Sequence, residues 1–227
     1  MFDFIIHFDK YLELIIHQFG YLTYAILFII IFAETGFVVT PFLPGDSLLF
    51  VAGTLSARGF IHIWLLYFSL LVAAIAGDTV NYWIGHFIGP KVFQKKKSKI
   101  FNPEYLEKTR KFFDKYGAKT IILARFVPIV RTFAPFVAGV GSMHYRQFII
   151  YNIAGGFIWV TLFVFGGYFL GGLPIIQENF DKAIIAIVLL SLAPPAYEFV
   201  KARREKHAAP AINFEKVEKT FEKKHLH

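Results

Sequence analysis

Along this chain long uncharged stretches alternate with short charged blocks, a pattern of lipid-facing segments rather than of the amphipathic elements of a water-soluble domain. A helix advances 1.5 Å per residue, so crossing a hydrocarbon core of ~30 Å takes about 20 apolar residues. Three segments meet or approach that length and predict transmembrane helices. Residues 61–89 pass, although they include Asp78; residues 147–171 carry no formal charge; residues 183–200 are marginal, with Pro194, Pro195 and Glu198 near their end.

Two further apolar regions are too short to cross. Residues 20–33 run to Glu34, after which Pro41, Pro44, Gly45 and Asp46 interrupt the chain before a second short run at 47–57. The pattern recurs where residues 120–124 meet Arg125, Pro128, Arg131 and Pro135 before 136–140. Apolar arms about a tip of proline and charge predict re-entrant hairpins at 20–57 and 120–141. Broken backbone at membrane depth is tolerated only where protein buries it or it lines a wet cavity. A rival parse joins 11–33 into one full span and places Glu13 and His17 in lipid.

The remaining segments complete an all-α polytopic membrane domain over 1–200. A surface helix is expected at 1–19, and a basic loop at 90–119 holds an amphipathic helix at 102–116, opened by Pro103, whose lysines would meet anionic lipid. Residues 201–227 form a basic polar tail. Matches between Phe19-Gly20 and Tyr116-Gly117, Ala52-Gly53 and Ala138-Gly139, and the five-residue runs from Gly85 and from Gly167 suggest a repeat of hairpin plus span. Since each half crosses once, the second is inverted, an arrangement that places a transport site where the halves meet. The matches are short in a chain rich in glycine and aromatics, and chance is the rival account.

Composition narrows the function classes. Of 227 residues 56% are hydrophobic and only 18% charged, against roughly 25% in an ordinary soluble domain. The net charge of +8 sits in blocks between apolar runs, which excludes a nucleic-acid-binding face. The absence of cysteine excludes thiolate chemistry. Residues 1–19 carry Asp3, Asp9 and Glu13 against Lys10, unlike a cleavable signal. Residues 90–119 hold ten basic and three acidic side chains, and the tail eight and four, so both are expected in the cytoplasm and the N-terminus in the periplasm.

Five ionisable residues fall at membrane depth, where each costs about 2.5–3.5 kcal/mol on insertion scales: Glu34, Asp46, Asp78, Arg125 and Arg131. Glu34 and Asp46 flank the first hairpin tip and the two arginines the second, so acids and arginines are expected to pair between the hairpins. In one reading they form a structural clasp. In the other the pairing is one state of a cycle, because arginine captures phosphate bidentately and a carboxylate in low dielectric can carry a proton. Asp78 lies one turn before Asn81, and a hydrogen bond to the neighbouring hairpin would account for it. The eight histidines suggest no metal set.

Three motifs carry a family resemblance: Glu34-Thr35-Gly36 with Pro41 and Pro44-Gly45-Asp46; Ala76-Gly77-Asp78 with Asn81-Tyr82; and Arg125 to Gly139, with Pro128, Arg131-Thr132 and Pro135. From about residue 19 to 200 the chain resembles the DedA family of bacterial inner-membrane proteins, related to eukaryotic VTT-domain scramblases. The resemblance implies a multi-pass inner-membrane protein that returns undecaprenyl phosphate between leaflets, coupled to the proton motive force. It implies functional acids at Glu34 and Asp46 and functional arginines at Arg125 and Arg131, with Asp78, Asn81, Thr132, Pro41, Pro44, Gly45, Pro128 and Pro135 in support. Expected partners are membrane lipids, a polyprenyl phosphate substrate and protons or Na⁺, without cofactor, metal or nucleic acid; a homo-oligomer stays open.

Other functions remain beside this one. A lipid phosphatase would need a nucleophile and an acid-base partner near the arginines, and neither hairpin contains a histidine; no enzyme is expected. A proton-coupled antiporter of small cations or drugs would use Glu34 and Asp46 and leave the arginines structural. A phospholipid scramblase or membrane-homeostasis protein is the third alternative.

Overall fold

A computed structural model describes residues 20–37, 45–92 and 103–173. The surface helix expected at 1–19, the span expected at 183–200, the tail at 201–227 and the candidate supporting residues Pro41 and Pro44 lie outside the described residues. Among the described residues there is no strand, and the helices are joined by turns, bends and short extended positions. The elements are α1 (Leu22–Gly36), α2 (Gly45–Ala57), α3 (Ile63–Val92), α4 (Pro103–Tyr116), α5 (Thr120–Ala124), α6 (Pro128–Val137) and α7 (Tyr145–Gly171). A short 3₁₀ turn, Gly117–Lys119, precedes α5, and a π turn, Ala138–Ser142, follows α6.

Two of these helices, α3 and α7, are long and apolar enough to cross a membrane. α3 continues to Val92, past Gly89 where the basic loop was expected to begin. Both expose a stripe of large apolar side chains, with Trp64, Phe68 and Val72 on α3 and Ile150, Phe157 and Leu162 on α7. Such a surface would drive aggregation in water and suits contact with lipid. Trp64 packs on Phe68 and Phe165 toward one end of this pair, and Trp83 packs on Phe87 and Tyr145 toward the other. Trp64 and Trp83 are separated by about 28 Å of helix, close to a ~30 Å hydrocarbon core bordered by interfacial aromatics.

α1 is too short for that role. Gly20 takes a left-handed φ of 48° and the described helix begins at Leu22. Its 15 residues reach about 22 Å. Tyr24 Oη accepts a hydrogen bond from the His62 amide (2.7 Å) where α3 begins, and Thr35 in the last turn offers its carbonyl to Asn81 Nδ2 (3.2 Å) near the middle of α3. α2 comes back to the starting end, where Ser56 Oγ donates to the Ile61 carbonyl at 2.7 Å.

Glycine allows the closest helix crossings. A Cβ on Gly53 of α2 would overlap the Val164 carbonyl of α7, and one on Gly167 would overlap the Phe50 carbonyl. On the other side a Cβ on Gly139 would overlap the Tyr82 carbonyl of α3, and one on Gly85 the Phe136 carbonyl. The register is the same in both crossings: each glycine opposes the residue three before its partner glycine. Leu27, Ile31, Leu49, Leu55, Leu66, Leu70 and Val164 fill a core on the α2 side, and Ile121, Val130, Ala134 and Phe148 one on the α6 side. α4 turns Phe112 and Phe113 onto the second core, and Thr120 Oγ1 donates to the Phe112 carbonyl at 2.9 Å. These two apolar residues therefore face protein, while Lys111 and Lys115 remain exposed.

These crossings predict an asymmetry among alanine substitutions. Gly53→Ala and Gly139→Ala should each destabilise the protein by about 1–3 kcal/mol, the usual overpacking range. Gly166→Ala should be neutral, because a Cβ there meets only Phe50 Cε2 at 3.9 Å. Thermal unfolding of the three variants in one detergent checks this; equal losses at all three positions would contradict it.

Candidate functional site

Glu34, Asp46, Asp78, Arg125 and Arg131 converge where α1, α2, α3, α6 and α7 meet. Glu34 is in the last turn of α1 and is buried; Asp46 is in the first turn of α2, where the helix dipole favours an acid. The Glu34 carboxylate lies against Gly45, where any Cβ would collide with Oε2, so the glycine lets that acid seat at the start of α2. In the second hairpin the backbone turns extended at Val127 (φ −121°, ψ 104°), and Pro128 then opens α6 with the fixed φ suited to a first helical position. This break separates Arg125, the C-cap of α5, from Arg131 on α6.

Arg131 is shared by both hairpin acids. Nη1 donates to Asp46 Oδ1 at 2.9 Å, and Nη2 lies 3.3 Å from Glu34 Oε1. Arg125 does not join them. Its Nη2 contacts Asp78 Oδ2 of α3 at 2.5 Å and Asn152 Oδ1 of α7 at 2.6 Å. The expected pairing of two acids with two arginines is thus corrected to one arginine with both hairpin acids and another with the acid of α3. Asp78 does bond to the neighbouring hairpin, but by an ion pair.

Polar contacts support the charged set. Asn81 Nδ2 donates to the Thr35 carbonyl (3.2 Å) and the Thr132 carbonyl (3.0 Å), joining the ends of the two hairpins through α3. Asn152 Nδ2 donates to the Ile75 carbonyl at 3.0 Å, which fixes the amide that receives Arg125. Bare backbone at Gly155 gives the Arg125 side chain room: a Cβ there would sit 3.1 Å from its Nε. Pro135 is inside α6, and Pro128 opens it.

Two residues of this site went unnoticed in the sequence, Asn152 and Trp159. Both sit in a charge-free span, and the only signal was a buried-size amide and an indole among aliphatics. Trp159 Nε1 donates to Asp46 Oδ1 at 2.8 Å, and the Arg131 guanidinium carbon lies 4.1 Å from the ring centroid.

The site is charged beyond balance. Glu34, Asp46 and Asp78 carry three formal negative charges against the two positive charges of Arg125 and Arg131, leaving one negative. Glu34 Oε2, Asn81 Oδ1, Arg125 Nε and Nη1, and Arg131 Nη2 are buried without a hydrogen-bond partner. Burial is graded: the Arg125 and Asp78 side chains are 2% and 5% exposed, Asp46 33%. Asp46 is therefore the member that meets its surroundings. Chemically the arrangement can exchange an arginine between carboxylates and another anion, and no group of three His, Asp or Glu among the described residues could hold a metal.

Comparison with known proteins gives the lineage. A VTT domain matches residues 43–169. Protein DedA of Escherichia coli K12 is 52% identical over 204 residues, covering 89% of this chain and 93% of the relative. An uncharacterized membrane protein of Mycobacterium leprae, ML0287, is 45% identical over 73% of this chain and 74% of its own length. The inner membrane protein YqjA of E. coli K12 is 32% identical over 74% of this chain and 76% of its own. No solved structure matches. With the VTT domain matching more than half of the chain, a relative 52% identical over 93% of its own length, and the charged ends of α1, α2, α5 and α6 meeting in one buried site, the chain belongs to the DedA family of VTT-domain bacterial membrane proteins.

Proposed function

We propose that this protein moves a lipid-linked phosphate, undecaprenyl phosphate foremost, between the leaflets of the inner membrane, driven by the proton motive force. One observation carries the reading: Arg131 is buried between two carboxylates, Asp46 and Glu34, one of which reaches the surroundings. A guanidinium forms planar bidentate bonds to phosphate as readily as to carboxylate, so a phosphate headgroup competes for it. Protonating either acid weakens its hold on Arg131 and favours the phosphate. Arg125, fixed by Asp78 and Asn152, is the less exchangeable of the two and contributes positive field.

In this reading 20–57 and 120–141 are re-entrant hairpins of an inverted repeat, entering from the periplasm and the cytoplasm. It is supported by the matching glycine registers of α2 on α7 and α6 on α3, and by α1 starting and α2 ending beside the start of α3. Inverted repeats of this kind bind substrate near the midplane, where Asn81 joins the hairpin ends. Single cysteines at Tyr21, which is 85% exposed, and at Arg58 should label from the periplasm, and cysteines at Lys119 and His144 from the cytoplasm. Labelling of Tyr21 and Arg58 from opposite faces would refute the hairpin.

Coupling and recognition have separate tests. In proteoliposomes with leaflet-resolved undecaprenyl phosphate, Glu34→Gln and Asp46→Asn should each lose transport driven by a proton gradient while remaining inserted. Normal driven transport in both would remove the acids from the coupling.

Arg131→Lys should lose phosphate-lipid binding although it keeps the charge, because an ammonium lacks the planar fork. Arg131→Gln should destabilise the protein by about 3–5 kcal/mol, the cost of leaving a buried partner unpaired, and Arg131→Gln with Glu34→Gln should recover most of that without recovering transport. Binding and thermal unfolding on the same samples decide it; transport by the double variant would leave the arginine purely structural.

A further inference from the structure

Trp159 has no part in the function just described, yet it touches both members of the exchangeable pair. It lies on α7 with no exposed surface. Its Nε1 donates to Asp46 Oδ1 at 2.8 Å, the same oxygen that Arg131 Nη1 reaches at 2.9 Å. Its ring carries the Arg131 guanidinium at 4.1 Å from the centroid, and Arg125 lies farther off at 5.8 Å.

We propose that Trp159 is a positioning residue that holds Asp46 by its N–H and Arg131 by its ring face, so that the two can part without either losing its place. An indole N–H only donates, and burying it without an acceptor is unfavourable, so it keeps a carboxylate oxygen beside it. The ring face attracts a flat cation over a broad area, so a guanidinium can slide or turn there without losing the contact. When an incoming anion takes the fork of Arg131, Asp46 stays on the indole N–H and the guanidinium stays on the ring. Return to the ion pair then needs only a small displacement. The same stack should favour arginine over lysine at 131, since a guanidinium lies flat on the ring and an ammonium does not.

The other charged groups facing this assembly are Glu34 from α1, Asp78 from α3 and Arg125 from the end of α5. None of them accepts from the indole, so removing its N–H acts on Asp46 directly. Trp159→Phe keeps a ring face and deletes the N–H; Trp159→Leu deletes both.

The inference rests on the transport reading for its activity arm alone, and a spectroscopic arm stands apart from it. In a background with Trp64→Phe and Trp83→Phe, Trp159 is the sole indole, the chain having three tryptophans. In nanodiscs its emission should change on Asp46→Ala and again on Arg131→Ala, with no such change for the control Lys111→Ala on exposed α4. Unchanged emission in both site variants overturns the positioning role, whether or not the protein moves lipid.

In proteoliposomes Trp159→Phe should fold with a near-parental unfolding temperature, lose transport of undecaprenyl phosphate by about tenfold, and shift the pH profile of what remains. Trp159→Leu should lose more. Parental rate and pH profile in Trp159→Phe overturn the proposal. So does a loss in Trp159→Phe that tracks its thermal stability with an unmoved pH profile, which marks core packing alone. Should Trp159→Leu fail to fold, Trp159→Phe decides. If the parent moves no undecaprenyl phosphate, the proposed function fails and the emission arm still judges Trp159.

Discussion

A guanidinium buried in a mostly apolar protein needs anions beside it, and the arrangement of this molecule follows from providing them. Arg131 draws Asp46 and Glu34 from the first hairpin region onto the second, and Trp159 of α7 covers its flat side. Removing one partner of a buried pair costs more than the pair itself contributes. The helix ends that carry these groups are therefore held in register by contacts not themselves charged. Asn81 ties α1 and α6 to α3, Gly45 leaves space for the Glu34 carboxylate, and Asn152 fixes Arg125 against Asp78.

The close crossings serve the same end. Gly53 of α2, against α7, and Gly139 of the π turn, against α3, let backbones approach until side chains at the helix ends face one another across a short gap. Without a hydrophobic driving force between helices in lipid, association relies on such contact and on interhelical hydrogen bonds. Thr54 supplies one of these, donating to the Gly167 carbonyl at 3.1 Å. Close crossings beside the charge cluster give a fixed frame to the few contacts around Arg131 that the proposed cycle would exchange.

The two arginines have different standing. Arg125 lies among Asp78, Asn152 and the bare face of Gly155, with its Nη2 doubly engaged. Arg131 is split between two acids, one of them a third exposed. In the proposed cycle Arg131, whose two acids compete for it, is the exchanging residue, and Arg125, enclosed by a single acid and an amide, is the anchor.

Hydrophobic length was enough, in the sequence alone, to mark the two long apolar helices among the described residues, the positions of charge to single out five ionisable residues within apolar surroundings, and the residue motifs to mark the family. Those are local properties: the number of apolar residues sets reach, and a charge within an apolar run stands out from its neighbours. The partners of the charges were not legible. The placement of the charges about two matching tips suggested that two acids pair with two arginines, and Glu34 and Asp46 do meet an arginine of the second region, but tertiary packing gave both to Arg131 and assigned Arg125 to Asp78. Asn152 and Trp159 escaped notice because an amide or indole in a charge-free span looks like core until the helix rotation that aims it is known. That rotation is decided by which glycines meet which carbonyls across the crossings, a property of pairs of helices and of no single one.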